Sequence, residues 1–187
     1  GVGVGLLVAW SLWPRKYQSN LRAAPGEHLF GPWLKIAEDG KVIIAIPQSE
    51  SGQGVYTALA QIVAGELGAD WRSVAVQPVP PSPVFANTLL AREWVPAFLS
   101  FFAGLAADGG PVASTVNELA ARDMFVVTGG SSSIRQFERP CREAGATARA
   151  LLCQVAAARW DINWEQCQTE KGFVTFGKKR IAFADLV

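Results

Sequence analysis

The sequence predicts an α+β fold, a mixed sheet with packed helices. Three observations carry that expectation. Asp39-Gly40 stands between two runs rich in β-branched and aromatic residues, a hairpin signal. Residues 55–67 then repeat apolar positions at helical spacing, and 134–160 read as a second, much longer helix. The chain returns to strand character over 172–176 and 180–183, turned at 177–179.

In chain order, 28–36 and 41–47 are expected to be two strands around the Asp39-Gly40 turn. The second, KVIIAIP, is almost continuously apolar and so is expected to be buried on both faces. On the helix at 55–67, Val55, Leu59, Ile62, Val63 and Leu67 form one stripe, and Gly68 stands in the position that ends a helix. Residues 71–79 predict another strand, closed by the prolines of 78–83. Over 84–121 the pattern is harder to read. Residues 94–105 predict a buried or partner-facing helix, with an interfacial anchor as the alternative, and 114–122 predict a short helix. Residues 125–127 lead as a strand into 128–133. Ser133 with Gln136 three residues on forms a capping-box pattern that starts the long helix, and Pro140 is expected to kink or interrupt it. Ala144, Gly145, Ala148 and 156–158 offer small side chains that let another element approach closely.

Half of the 187 residues are apolar, 18% are charged, and 17 basic residues balance 16 acidic ones. Such a composition excludes a disordered tail and a nucleic-acid binder acting through bulk positive charge. One histidine, His28, and three cysteines leave little room for a zinc site, a cluster site or a Ser-His-Asp triad. None of the cysteine pairs has CxxC spacing. Cys141 and Cys153 lie 12 residues apart on one helix, too far to bridge. Cys167 can pair with either if the chain folds back, but buried free thiols are the expectation. His28 reads as a linker or strand-edge residue, and Arg135, in the first turn of the long helix, is the arginine nearest the 128–133 loop.

Residues 1–13 carry no charge, and Trp10 and Trp13 precede Arg15 and Lys16 as an aromatic belt precedes a basic flank. The run is shorter than the roughly 20 residues a membrane span needs. It is expected either to be the remainder of a signal or anchor segment or to pack on the body or a partner.

Two segments share one design, a strand, a small-residue loop and a helix: SGQG at 51–54 and TGGSSS at 128–133. Glycines let a backbone approach a ligand closely, and the unpaired N–H groups of a helix start favour an anion. Neither loop is a Walker loop, since no Gly-Lys-Ser/Thr follows. By itself each is compatible with a tight turn and a helix cap.

The wording of the two together, SESGQGVYTALAQIVAGELGADW and TGGSSSIRQFERPCREAGATARALLCQVAAARW, resembles the large subunits of the molybdenum hydroxylases, the xanthine dehydrogenase and aldehyde oxidase family. The branch most resembled is that of the isoquinoline 1-oxidoreductase and membrane-bound aldehyde dehydrogenase β-subunits, over about 6–187. The resemblance implies molybdenum held by molybdopterin, in the bacterial enzymes usually as the cytosine dinucleotide. It places Gly52, Gln53 and Gly54 against the pterin and its phosphate, and Gly129, Gly130, Ser131, Ser132 and Ser133 around the same group from the second loop, with Gly130 near the metal. It assigns no catalytic residue and no metal ligand to this chain, and Glu50 is not expected to be the family's base. It implies hydroxylation of an N-heterocycle or oxidation of an aldehyde with water as oxygen source. The chain would not act alone. Its partners would be the rest of the large subunit, a small subunit with two [2Fe-2S] clusters and, in some members, a cytochrome c subunit, on the periplasmic side of the bacterial inner membrane. The division expected is a truncated apolar segment at 1–14, a linker at 15–27 and the N-terminal part of the molybdopterin-binding domain at 28–187. A non-catalytic module that binds another phosphate-bearing ligand through the two loops is the alternative.

Overall fold

The computed structural model of the chain describes Gly3, Gly5, Ala9, Trp13 and residues 15–98 and 112–187, with the backbone alone over 95–98. Most of the apolar segment at 1–14, and the part of the 94–105 stretch beyond 98, lie outside the described residues; Gly3, Gly5 and Ala9 are helical and exposed. The chain divides into two units, one of Leu21–Ile46, Glu50–Val79 and Phe137–Val187, the other of Gly1–Asn20, Pro47–Ser49 and Pro80–Gln136.

The first of these units holds both sheets. β1 (Glu27–Leu29), β2 (Leu34–Ala37), β3 (Val42–Ile46) and β4 (Val74–Pro78) follow that order across a four-stranded sheet. β1–β2 and β2–β3 are antiparallel and β3–β4 is parallel, so the sheet is mixed, as expected. The hairpin at Asp39-Gly40 forms: the Ala37 N–H donates to the Lys41 carbonyl and the Gly40 N–H to the Ala37 carbonyl, both at 2.9 Å. The single strand expected over 28–36 is instead two. Gly31 takes a left-handed φ of 87°, Pro32 has no N–H to give a ladder, and the Phe30 N–H closes the turn on the Leu34 carbonyl at 2.9 Å. His28 sits on the edge strand β1, as anticipated, 3.4 Å from Glu38. All but one of the residues of β3 are buried, which accounts for its apolar run.

The parallel pair needs a crossover, and α1 (Val55–Leu67) supplies it. Val55, Leu59, Val63 and Leu67 are buried, as predicted from spacing; Ile62 is only half-buried. Gly68 ends the helix at φ 77°. A Cβ there would stand 2.6 Å from the Thr169 carbonyl oxygen, so glycine is required twice over. Thr169 belongs to a second sheet, the antiparallel meander β5 (Gln168–Glu170), β6 (Phe173–Phe176) and β7 (Lys179–Ala182). The β6–β7 hairpin was legible in the sequence, whereas β5, with the polar sequence QTE, was not.

Against α1 lies the long helix α4 (Ser132–Trp160). It begins two residues earlier than predicted and continues through Pro140 without interruption. Proline removes one backbone bond. The buried face of Phe137, Cys141, Ala148, Leu152, Ala156 and Ala157 holds the helix regardless. Gly145 is where α1 and α4 meet: a Cβ there would stand 2.6 Å from the Val63 carbonyl oxygen and 2.8 Å from the Glu66 Cβ. Beside that contact Arg142 reaches Glu66 at 2.7 Å. All three thiols are free, Cys141 and Cys153 buried and Cys167 half-buried. Burial pushes the Cys141 thiol up to about 12, which leaves it unreactive.

The other unit carries α2 (Thr88–Phe98), α3 (Ala113–Arg122) and the start of α4. Ala91, Val116 and Ala120 form its apolar centre, with Val112 and Phe125 against them. Residues 125–127 are not a strand; they run as irregular chain into 128. Tyr17 ties the N-terminal stretch to α3 through a 2.6 Å hydrogen bond to Glu118, which Arg122 also engages.

If the α1–α4 approach depends on Gly145, Gly145→Ala forces two backbones apart. It is expected to lower stability by about 2 kcal/mol, measured by urea unfolding, while Ala144→Ser is expected to change little.

Candidate functional site

The first loop runs from Glu50 to Gly54 and turns the chain from β3 into α1, with Gly52 at φ 99° and Gly54 at φ 83°. The N–H groups that were expected to await an anion already have one. Glu50 accepts from the Gly52 N–H at 2.7 Å, the Gly54 N–H at 2.9 Å and, with its other oxygen, the Tyr56 N–H at 3.0 Å. Gln53 turns its side-chain oxygen inward, accepting from the Ser51 N–H at 2.6 Å and its hydroxyl at 2.9 Å. The N–H groups of Gly54 and Tyr56, with Gly52 adding less, hold the Glu50 carboxyl below the usual carboxylate range. A carboxylate so held is a poor proton acceptor. Glu50 therefore caps a helix, and the sign of it in the sequence is an acid a few residues ahead of a helix start.

The second loop, in the other unit, is organised around Asn87, which the sequence reading passed over. Asn87 is 1% exposed. Its side-chain amide donates to the Ser132 hydroxyl at 2.6 Å and the Val127 carbonyl at 3.0 Å, and its oxygen accepts from the Leu90 N–H at 3.1 Å. One residue thus caps α2 and pins the loop that opens α4. The available signal was Asn-Thr directly after a proline cluster and ahead of a helical pattern. Ser132, fully buried, donates its hydroxyl to the Gly129 carbonyl at 2.6 Å, so both its bonding directions are used inside the chain. Ser133 is buried as well. The expected Ser133–Gln136 capping box does not form, because Gln136 accepts from the Leu89 N–H at 3.0 Å instead and joins α4 to the start of α2.

What faces outward is Gly130 and Ser131, consecutive left-handed residues at φ 57° and 52°. Successive N–H groups in such a turn at the head of a 29-residue helix form a concavity suited to anions. The space behind is limited: a Cβ on Gly130 would lie 3.2 Å from Leu90. Arg135, in the first turn of α4, is paired with Glu93 at 2.7 Å on the surface. The Thr128 hydroxyl accepts from the Ser49 N–H at 3.0 Å. Next to Ser49, the carboxamide of Gln48 is 2% exposed, and neither its oxygen nor its nitrogen has a partner. Among the described residues no group of three or more His, Cys, Asp or Glu side chains is placed to hold a metal.

Residues 1–81 match the family described as the molybdopterin cofactor-binding domain. The chain is 30% identical over 168 residues to the membrane-bound aldehyde dehydrogenase [pyrroloquinoline-quinone] of Gluconacetobacter polyoxogenes, covering 89% of this chain and 17% of that protein. It is 33% identical over 149 residues to the isoquinoline 1-oxidoreductase subunit beta of Brevundimonas diminuta, covering 79% of this chain and 15% of the relative. The chain therefore spans about a sixth of the curated relatives it matches. Among solved structures it is similar to quinoline 2-oxidoreductase from Pseudomonas putida 86, with TM-score 0.43, 19% identity, 82% of this chain and 15% of the other.

Asn87→Ala removes a helix cap and leaves the Ser132 hydroxyl and Val127 carbonyl without their buried donor. It is expected to cost about 3 kcal/mol, read by chemical denaturation. Because the Glu50 pKa is lowered on folding, its contribution is fully present above its unfolded value and is lost as pH falls through the folded one. Amide exchange at Gly54 and Tyr56 is expected to lose protection in that acid range, and Glu50→Gln to remove the pH dependence.

Proposed function

Because this chain belongs to the molybdenum hydroxylase family, we propose that it supplies part of the molybdopterin site of an oxidoreductase that hydroxylates an N-heterocycle or oxidises an aldehyde. The observation that carries this reading is the exposed left-handed pair Gly130-Ser131 at the head of α4, with Leu90 and the Arg135-paired Glu93 behind it. That loop fits a phosphate: successive left-handed residues stand at a helix start, and the Glu93 carboxylate beside Gly130 is paired with Arg135.

Within this reading Gly129, Gly130 and Ser131 contact the cofactor, and Ser132 and Ser133 keep the loop in shape from beneath. Gly52, Gln53 and Gly54 contact the pterin through close backbone approach, since the Gly52 and Gly54 N–H groups are engaged by Glu50. Bound molybdenum supplies the oxygen-transfer and redox chemistry. The residues of this chain bind and orient the group that carries it.

The cytosine dinucleotide form, a [2Fe-2S] partner subunit, onward transfer to a cytochrome c subunit and a periplasmic, membrane-associated location belong to the same proposal. So does the division into an apolar segment at 1–14, a linker at 15–27 and part of the cofactor-binding domain at 28–187. Support for other subunits comes from the word "subunit" in one relative's name and from apolar side chains left in solvent on and after α4, Leu151 at 44%, Val155 at 40% and Trp164 at 41% exposed. Support for a membrane is the other relative's name, whereas no helix among the described residues is long and apolar enough to cross one. That relative's name also includes pyrroloquinoline-quinone, which favours a second reading in which the anion bound is a metal-free quinone.

Elemental analysis of the assembled complex separates the readings. The proposal predicts molybdenum together with a fluorescent pterin after oxidation; a quinone with no molybdenum overturns it. Asn and Asp both tolerate the left-handed backbone at 131. Ser131→Asp is therefore expected to lose most of the pterin by charge repulsion while Ser131→Asn retains it, and equal pterin in the two contradicts the placement of phosphate at this loop.

A further inference from the structure

Gln48 has no role in the site as described so far, yet among the described residues it is the buried side chain that leaves both a donor and an acceptor without a partner. It is 2% exposed, and both ends of its carboxamide lack a partner. Leaving a buried donor and acceptor unbonded opposes folding unless something outside the chain completes them. The residue is covalently next to Ser49, whose N–H is bonded to the first residue of the 128–133 loop in the same unit.

From these observations we infer that Gln48 is a further ligand-recognition residue, whose carboxamide pairs with the edge of a heterocycle rather than with phosphate. The inference rests on the proposed cofactor site. Its chemistry follows from the two orphan atoms. A phosphate is acceptor-only when ionised and would satisfy Nε2 but not Oε1. An edge with an N–H beside a carbonyl or ring nitrogen satisfies both at once, as the side-chain amide does in bidentate base recognition. A pterin carries such an edge, and so does a nucleobase.

The test uses the assembled complex, prepared with cofactor and from cells unable to make it. Gln48→Met keeps length and apolar volume and removes both bonding atoms. Two lost hydrogen bonds correspond to about tenfold faster loss of pterin on warming. The cofactor-free complex is expected to melt no lower than the unsubstituted one, because no internal bond is broken. Faster loss confined to preparations that release a nucleotide on acid hydrolysis assigns the edge to the nucleobase; faster loss in all preparations assigns it to the pterin. An unchanged rate of pterin loss overturns the inference. So does a lowered melting temperature of the cofactor-free complex, which would mean that the amide is satisfied within the protein. An unsubstituted complex that contains no pterin overturns the proposed function itself, and this inference with it.

Discussion

The second loop depends on one buried amide. Asn87 has no solvent to fall back on, so its donors and acceptor must be matched inside the chain, and each match fixes a different segment: the carbonyl at 127, the hydroxyl of Ser132 and the N–H of Leu90. With those points held, the chain between 127 and 132 must turn within a few residues, and the left-handed Gly130 and Ser131 are how it does so. A serine at φ 52° is uncommon and costs conformational energy. The surrounding bonds sustain it, and the result is a pair of exposed left-handed residues at a helix start.

The first loop has a similar composition and a different electrostatic solution. Its helix N-terminus is capped by Glu50, a charge from its own chain, with three N–H donors within 3.0 Å. A loop so satisfied has less attraction left for an external anion. Under the proposed function the two loops take unequal tasks, shape and close approach in one and charge recognition in the other. Small side chains do the structural work elsewhere. Gly145 lets α4 come within backbone contact of α1, and Gly68 lets the end of α1 meet Thr169.

Much of the fold was legible because local signals and tertiary packing agreed. The Asp39-Gly40 hairpin, the buried stripe from Val55 to Leu67 and the Gly68 terminator each have a local physical cause, and each formed where expected. The failures have causes that lie at a distance in the sequence. Gln136 abandons its capping box because the N–H of Leu89, 47 residues away, is a better-placed donor. Pro140 leaves α4 unbroken because a buried face along the rest of the helix outweighs one lost bond. β5 is polar and is ordered by its pairing with β6. In the site, glycines and serines marked both loops. Which serines face outward was not legible, since it depends on Asn87, 45 residues before Ser132.

The central claim is that the loop from Gly129 to Ser131 holds the phosphate of a molybdopterin. A density map of the intact, cofactor-loaded complex tests it most directly. The account predicts phosphate density within hydrogen-bond distance of the backbone N–H groups at Gly130 and Ser131, continuous with a pterin. A fully occupied cofactor whose phosphate lies elsewhere, with these N–H groups facing only solvent, would contradict it.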